Sequence, residues 1–148
     1  MVWRLLEKVK TFLKEQSIKA EKDNVLVAAI HEIMVEDLGW KPKKIGFGSD
    51  SHELEYTKAT SPFHELEIKA TRFGEKLYLE FEGEVKKGGA FGEVFESIFD
   101  IDLDKEYKLK TELNLSDYVT DELEVINEER LSQLLKNFIG LLESKVKK

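Results

Sequence analysis

Six residues on three consecutive alternating segments are the sequence's clearest opportunity for chemistry. Ser51 to Ala59, His64 to Arg72 and Lys76 to Val85 each alternate apolar and polar side chains, the period of strands with one buried face. Cross-strand partners share a face, so register follows from parity. A five-residue loop from Ala59 to Phe63 sets Tyr56 against Leu66 and Leu54 against Ile68. A turn centred on Gly74-Glu75, glycine first as a type II′ turn prefers, sets Ala70 against Leu79 and Ile68 against Phe81. The polar face then lines up Glu55, Glu67 and Glu82 in a row of like charge, with Lys69 between Glu53 and Glu80. Adjacent carboxylates cost stability unless water, lysines, a cation or a basic partner compensates them. Hard divalent cations take several oxygen ligands, so a metal is one reading of the row. Recognition of a basic protein surface is a second, and a solvated outer sheet face is the ordinary structural one.

Other patterns are weaker. Glu67-Ile68-Lys69 has the Glu-x-Lys spacing of a large nuclease superfamily, with Asp50 as a conceivable metal ligand upstream. That superfamily follows the strand with a helix, whereas here a turn and another strand are expected. Asp100-Ile101-Asp102-Leu103-Asp104 resembles the opening of a calcium loop but has Lys105 where glycine and Thr111 where glutamate belong. Gly88-Gly89-Ala90-Phe91-Gly92 lacks the lysine and hydroxyl of a P-loop and reads as a hinge. His31, His52 and His64 are expected to be partly buried structural histidines, because no fourth ligand completes a zinc set. With no cysteine in the chain, thiolate metal sites, disulfides and cysteine nucleophiles are excluded. No cofactor is implied.

The elements that position these residues follow from period. Val2, Leu5, Leu6, Val9, Phe12 and Leu13 recur at helical spacing, predicting a helix over 2–16. A second helix carries Leu26, Ala29, Ile30, Ile33, Met34 and Leu38, with Asp23-Asn24 as its cap and Gly39 as its end. Its opening, Val25-Leu26-Val27, would also suit a strand. Lys43 to Gly48 precedes the three segments above and makes them a four-stranded antiparallel meander. Phe91, Val94, Phe95, Ile98 and Phe99 mark a short helix with surplus aromatic bulk. In that segment Phe91, Phe95 and Phe99 are candidates for a ligand pocket or dimer seam. Tyr107 to Leu115 reads as a fifth strand, and Leu123 with Val125 as a short sixth. Asn127-Glu128-Glu129 opens a last helix with the stripe Leu131, Leu134, Leu135, Phe138, Leu141 and Leu142.

The expected fold is therefore α+β in a single domain spanning 1–148. It is a single antiparallel sheet, a four-stranded meander plus one or two later strands. Two N-terminal helices, a short middle helix and a long C-terminal helix complete it. Two helices, a meander and a C-terminal helix look like the helix-grip ligand carriers. The helix–strands–helix–strands–helix order is also similar to the small dimeric secretion-chaperone fold. Both are likenesses of fold and carry little about function.

Charged residues make up 36% of the chain, and the net charge of −7 opposes non-specific binding to nucleic acid. The usage, mostly Lys and Glu, resembles that of thermophile proteins. Met1 to Lys8 lacks the apolar core of a signal peptide and no apolar run reaches membrane-spanning length, so a cytoplasmic location and no membrane partner are expected. The leading expectation is a non-enzymatic binding or adaptor protein, acting on a protein partner or by self-association. Its candidate binding residues are Glu55, Glu67, Glu82, Glu80 and Lys69 on the acidic face. A carrier for a small apolar ligand, with a pocket between sheet and last helix, is the alternative. A metal-dependent enzyme using Glu67 comes third.

Overall fold

The computed structural model describes residues 2–86 and 104–146. The chain opens with α1 (Val2–Glu15) and α2 (Lys22–Glu32), the latter ending in a π-helical turn, Ile33–Asp37. Five strands follow: β1 (Lys41–Phe47), β2 (Ser51–Thr57), β3 (Glu65–Phe73), β4 (Lys76–Lys86) and β5 (Asp104–Asn114). A single helical turn, α3 (Leu115–Tyr118), and the long α4 (Glu128–Val146) close the described chain. The strands form one antiparallel sheet in the order β1-β2-β3-β4-β5. The Phe91–Phe95–Phe99 segment lies outside the described residues.

Alternation along each strand determines which side the helices cover. Leu54, Tyr56, Leu66, Ile68, Ala70, Leu79 and Phe81 all face inward and are buried. Against them lies α2, whose residues Asp23 to His31 are buried almost without interruption. An apolar run such as Val25-Leu26-Val27-Ala28-Ala29-Ile30 has no polar stripe, so this helix belongs in the interior, and the strand alternative for its opening does not occur. Around it pack α1 on one flank and α4 on the other. From α4 the buried positions are Leu131, Leu135, Ile139 and Leu142. Leu141, expected in that stripe, points outward at 56% exposure, and Ile139 takes its place. Phe138 stacks on Phe81 with ring centroids 5.5 Å apart and planes nearly parallel.

Two further expectations are corrected. Asp23 and Asn24 do not cap α2: the cap position is Glu21, without a side-chain hydrogen bond, and both residues lie inside the helix. The sixth strand reduces to one bridge, Val119 with Val125. The end of α2 falls at Gly39 as anticipated, but through a wider, π-helical turn. Leu38 N–H donates to the Ile33 carbonyl and Trp40 N–H to the Met34 carbonyl, with Gly39 at φ +74°. That left-handed glycine lets the chain turn back while the buried Trp40 seals the helix end. Gly74, at φ +60° between the paired Phe73 and Lys76, makes the expected two-residue turn.

Candidate functional site

The open face of the sheet carries the candidate residues, and its register places them as parity requires. Tyr56 faces Leu66, Leu54 faces Ile68, Ala70 faces Leu79 and Ile68 faces Phe81. On the other side one row runs Lys44, Glu55, Glu67, Glu82, Lys108 across all five strands. A neighbouring row runs Glu53, Lys69, Glu80, Lys110. The like-charged trio in the first row is thus closed at both ends by lysines, which alternation in β1 and β5 provides.

Diagonal contacts matter more than the direct ones. The neighbouring Glu65 carboxyl, diagonal to it, and then some burial raise the Glu55 carboxyl above its usual range, and Glu67 opposite adds a smaller repulsion. Glu65 is held below the usual range because Lys43 donates to it at 2.8 Å. Glu82 is raised first by burial under its neighbours and then by a hydrogen bond with Glu106. Right-handed sheet twist brings one diagonal of each four-residue square together, and long glutamate side chains reach along it. Lys69 pairs along its own strand with Glu67 at 3.6 Å, and its ammonium is held above its ordinary range chiefly by that carboxylate. Glu65 and Glu106 were not among the expected residues.

The arrangement does not assemble a nuclease-like metal site. Asp50 lies opposite Arg72, whose N–H donates to the Asp50 carbonyl at 2.8 Å. Glu67 is five residues away along β3, roughly 16 Å at strand rise. Among the described residues no group of three His, Asp or Glu side chains is placed to hold a metal ion.

The histidines serve the interior. His52 is buried and its Nε2 lies 2.9 Å from Asp23 Oδ2, while Arg72 Nη1 donates to Asp23 Oδ1 at 3.1 Å. An ionised carboxylate can only accept, so His52 carries its proton on Nε2. This hydrogen-bonded trio, together with the edge-on ring of Phe47 against His52, ties α2 to β1, β2 and β3. His31 shares a 2.7 Å hydrogen bond with the buried Tyr56 hydroxyl, and burial lowers its basicity. His64 departs from expectation: it precedes β3, its side chain is 45% exposed, and it approaches Glu84 at 3.5 Å.

A cleft of about 330 Å³ opens between the end of α2, the end of β2 and α4. Trp40, Leu38 and Ile139 line it together with Asp37, Lys58, Lys136 and Glu143. Lys58 is fixed there, donating to the Leu38 carbonyl at 2.7 Å with its ammonium 5.5 Å from the Trp40 ring centre. No helix among the described residues is long and apolar enough to cross a membrane. No protein-family model matches the sequence, and no curated protein matches it either.

Proposed function

We propose that this chain is a binding or adaptor protein that docks a basic protein surface on the open face of its sheet. One observation carries the reading: Glu55, Glu67 and Glu82 stand directly opposite one another across β2, β3 and β4, an unbroken row of like charge. A lysine or arginine arriving from a partner would relieve that repulsion with a charge-assisted hydrogen bond. The face is also rigid, being one side of a continuous ladder whose other side is the core.

The test is charge reversal. Glu67→Lys with Glu82→Lys should leave the fold intact by circular dichroism and weaken calorimetric binding of a lysine- and arginine-rich peptide by tenfold or more, roughly 1.4 kcal/mol. If the wild-type protein shows no salt-dependent affinity for such a peptide, the reading fails.

The alternative of a small-ligand carrier draws on the cleft beside Trp40 and Ile139. Four charged side chains in its lining suit a polar ligand better than the apolar one expected. Native mass spectrometry of the purified protein decides it, since a carrier should bring a ligand with it.

A further inference from the structure

The two edges of the sheet differ, and the difference points to a second interaction surface. At one edge β1 is protected. Pro42 offers no N–H, a register irregularity follows it between Pro42 and Lys44, and Lys41, Lys43 and Lys44 add charge. Prolines, bulges and lysines are the usual means of blocking strand addition. At the other edge β5 pairs with β4 over eleven residues without an irregularity. No described strand lies beyond it.

Which backbone groups of β5 are free follows from one hydrogen bond. Leu115 N–H donates to the Glu75 carbonyl at 2.8 Å, continuing the β4–β5 register. In an antiparallel ladder, residues that bond a given neighbour alternate with residues that point away from it. The odd-numbered residues of β5 therefore bond β4. Glu106, Lys108, Lys110 and Glu112 direct their N–H and C=O groups outward, and all four are exposed.

The charges on those four positions select the occupant. A second copy is disfavoured: full antiparallel overlap of two β5 strands centres on Leu109, setting Lys108 against Lys110 and Glu106 against Glu112. Registers that relieve this clash shorten the overlap. A strand with acidic residues opposite Lys108 and Lys110 and basic residues opposite Glu106 and Glu112 satisfies every pair. Its alternate residues would lie beside Tyr107, Leu109 and Thr111, which are half-buried, so they should be apolar. On its paired side β5 already accepts this chemistry, for β4 sets Glu80 against Lys110 and Glu82 against Lys108.

We infer that the β5 edge binds an extended partner segment with an acid-centred, base-flanked alternating pattern, added antiparallel as a sixth strand. This edge adjoins the open face, whose charged rows end on Lys108 and Lys110, but it binds through backbone groups that those rows do not use. The probe is the capped peptide Lys-Leu-Glu-Val-Glu-Leu-Lys, titrated into isotope-labelled full-length protein. In the free protein the amides of Glu106, Lys108, Lys110 and Glu112 should exchange rapidly with solvent, and those of Leu109 and Thr111 slowly. Peptide should slow the first set. The charge-swapped peptide Glu-Leu-Lys-Val-Lys-Leu-Glu should bind about tenfold or more weakly, as four directly opposed like-charge pairs require. Lys108→Glu with Lys110→Glu leaves either peptide two matched and two like-charge pairs and should erase the preference that the wild-type protein shows, with circular dichroism confirming a folded variant. Lys110→Pro removes one outward donor and no β4 bond, and should abolish binding while leaving the amide spectrum of β4 unchanged. Protection of the even-numbered amides in the free protein would overturn the proposal. So would equal affinity for both peptides, no binding of either, or a self-association that Lys110→Pro dissolves. The amide-exchange results concern only the backbone edge of β5, while the open face is tested through Glu67 and Glu82, which do not touch that edge.

Discussion

The two faces of this sheet are built from the same strands, often from neighbouring residues, yet they are held by opposite physics. Ile68 and Phe81 face each other in a core where neither is measurably exposed, while one step along, Glu67 and Glu82 face each other in water. The inner face gains from every atom it buries, at about 25 cal/mol per Å² of apolar area. The outer face is arranged at a cost, with carboxyls side by side and lysines at the ends of their row. A surface that is rigid but electrostatically unfavourable on its own is suited to a partner of opposite charge. The inner face, already satisfied, has nothing left to bind.

Substitutions should separate the faces by size of effect. The largest loss is expected at Asp23→Ala, which leaves Arg72 and the buried His52 without their shared carboxylate. Removing one partner of such a group costs about 3–5 kcal/mol, read as a drop in chemical-denaturation stability. Gly83→Ala comes next. A Cβ there would lie 2.5 Å from the Phe63 ring, and overpacking of this kind costs about 1–3 kcal/mol. Glu67→Gln should do the reverse, stabilising by at most about 0.5 kcal/mol because it removes like charge from a half-buried row. A loss of several kcal/mol at Glu67 would mean that the outer face is structural after all.

Acid should sharpen the contrast by a small amount. Glu55 and Glu82 bind their protons more tightly in the folded chain than when unfolded. Their contribution is therefore fully present in acid, below the unfolded range, and is lost as pH rises through their raised folded values. Glu65 has the opposite sign, contributing above the ordinary carboxyl range and losing that contribution as pH falls through its lowered value. Thermal stability should rise slightly from neutral to mildly acidic solution and then fall. A monotonic decline from neutrality would show that the carboxyl pairs are not formed. All three carboxyls are largely solvated, so salt should flatten the rise.

How much of this was legible in the sequence depended on periodicity. Strand register from Ser51 to Val85 followed from two loops and parity, because a one-residue slip would have buried glutamates. The Gly74 turn followed from the sterics of φ > 0. Asp23 was misread for a definite reason. An aspartate before an apolar run is the usual helix cap, and only the fold brings His52 and Arg72, 29 and 49 residues on, to the same carboxylate. The π turn after Glu32 leaves no local pattern, since Ile33 to Asp37 suits an α-helix equally well. The diagonal carboxyl pairs needed twist as well as register, and one-dimensional parity contains no twist. In α4, Leu141 and Ile139 exchange places because the sheet meets a narrower stripe than the sequence offers.

The account's central claim is that a basic partner meets the outer face of β2, β3 and β4. Titrating a lysine- and arginine-rich peptide into the isotope-labelled protein, at low salt, follows every amide at once. Chemical-shift changes should cluster on Glu55, Glu67, Lys69, Glu80 and Glu82 and vanish in high salt. Changes confined to the helices, or none at all, would contradict it.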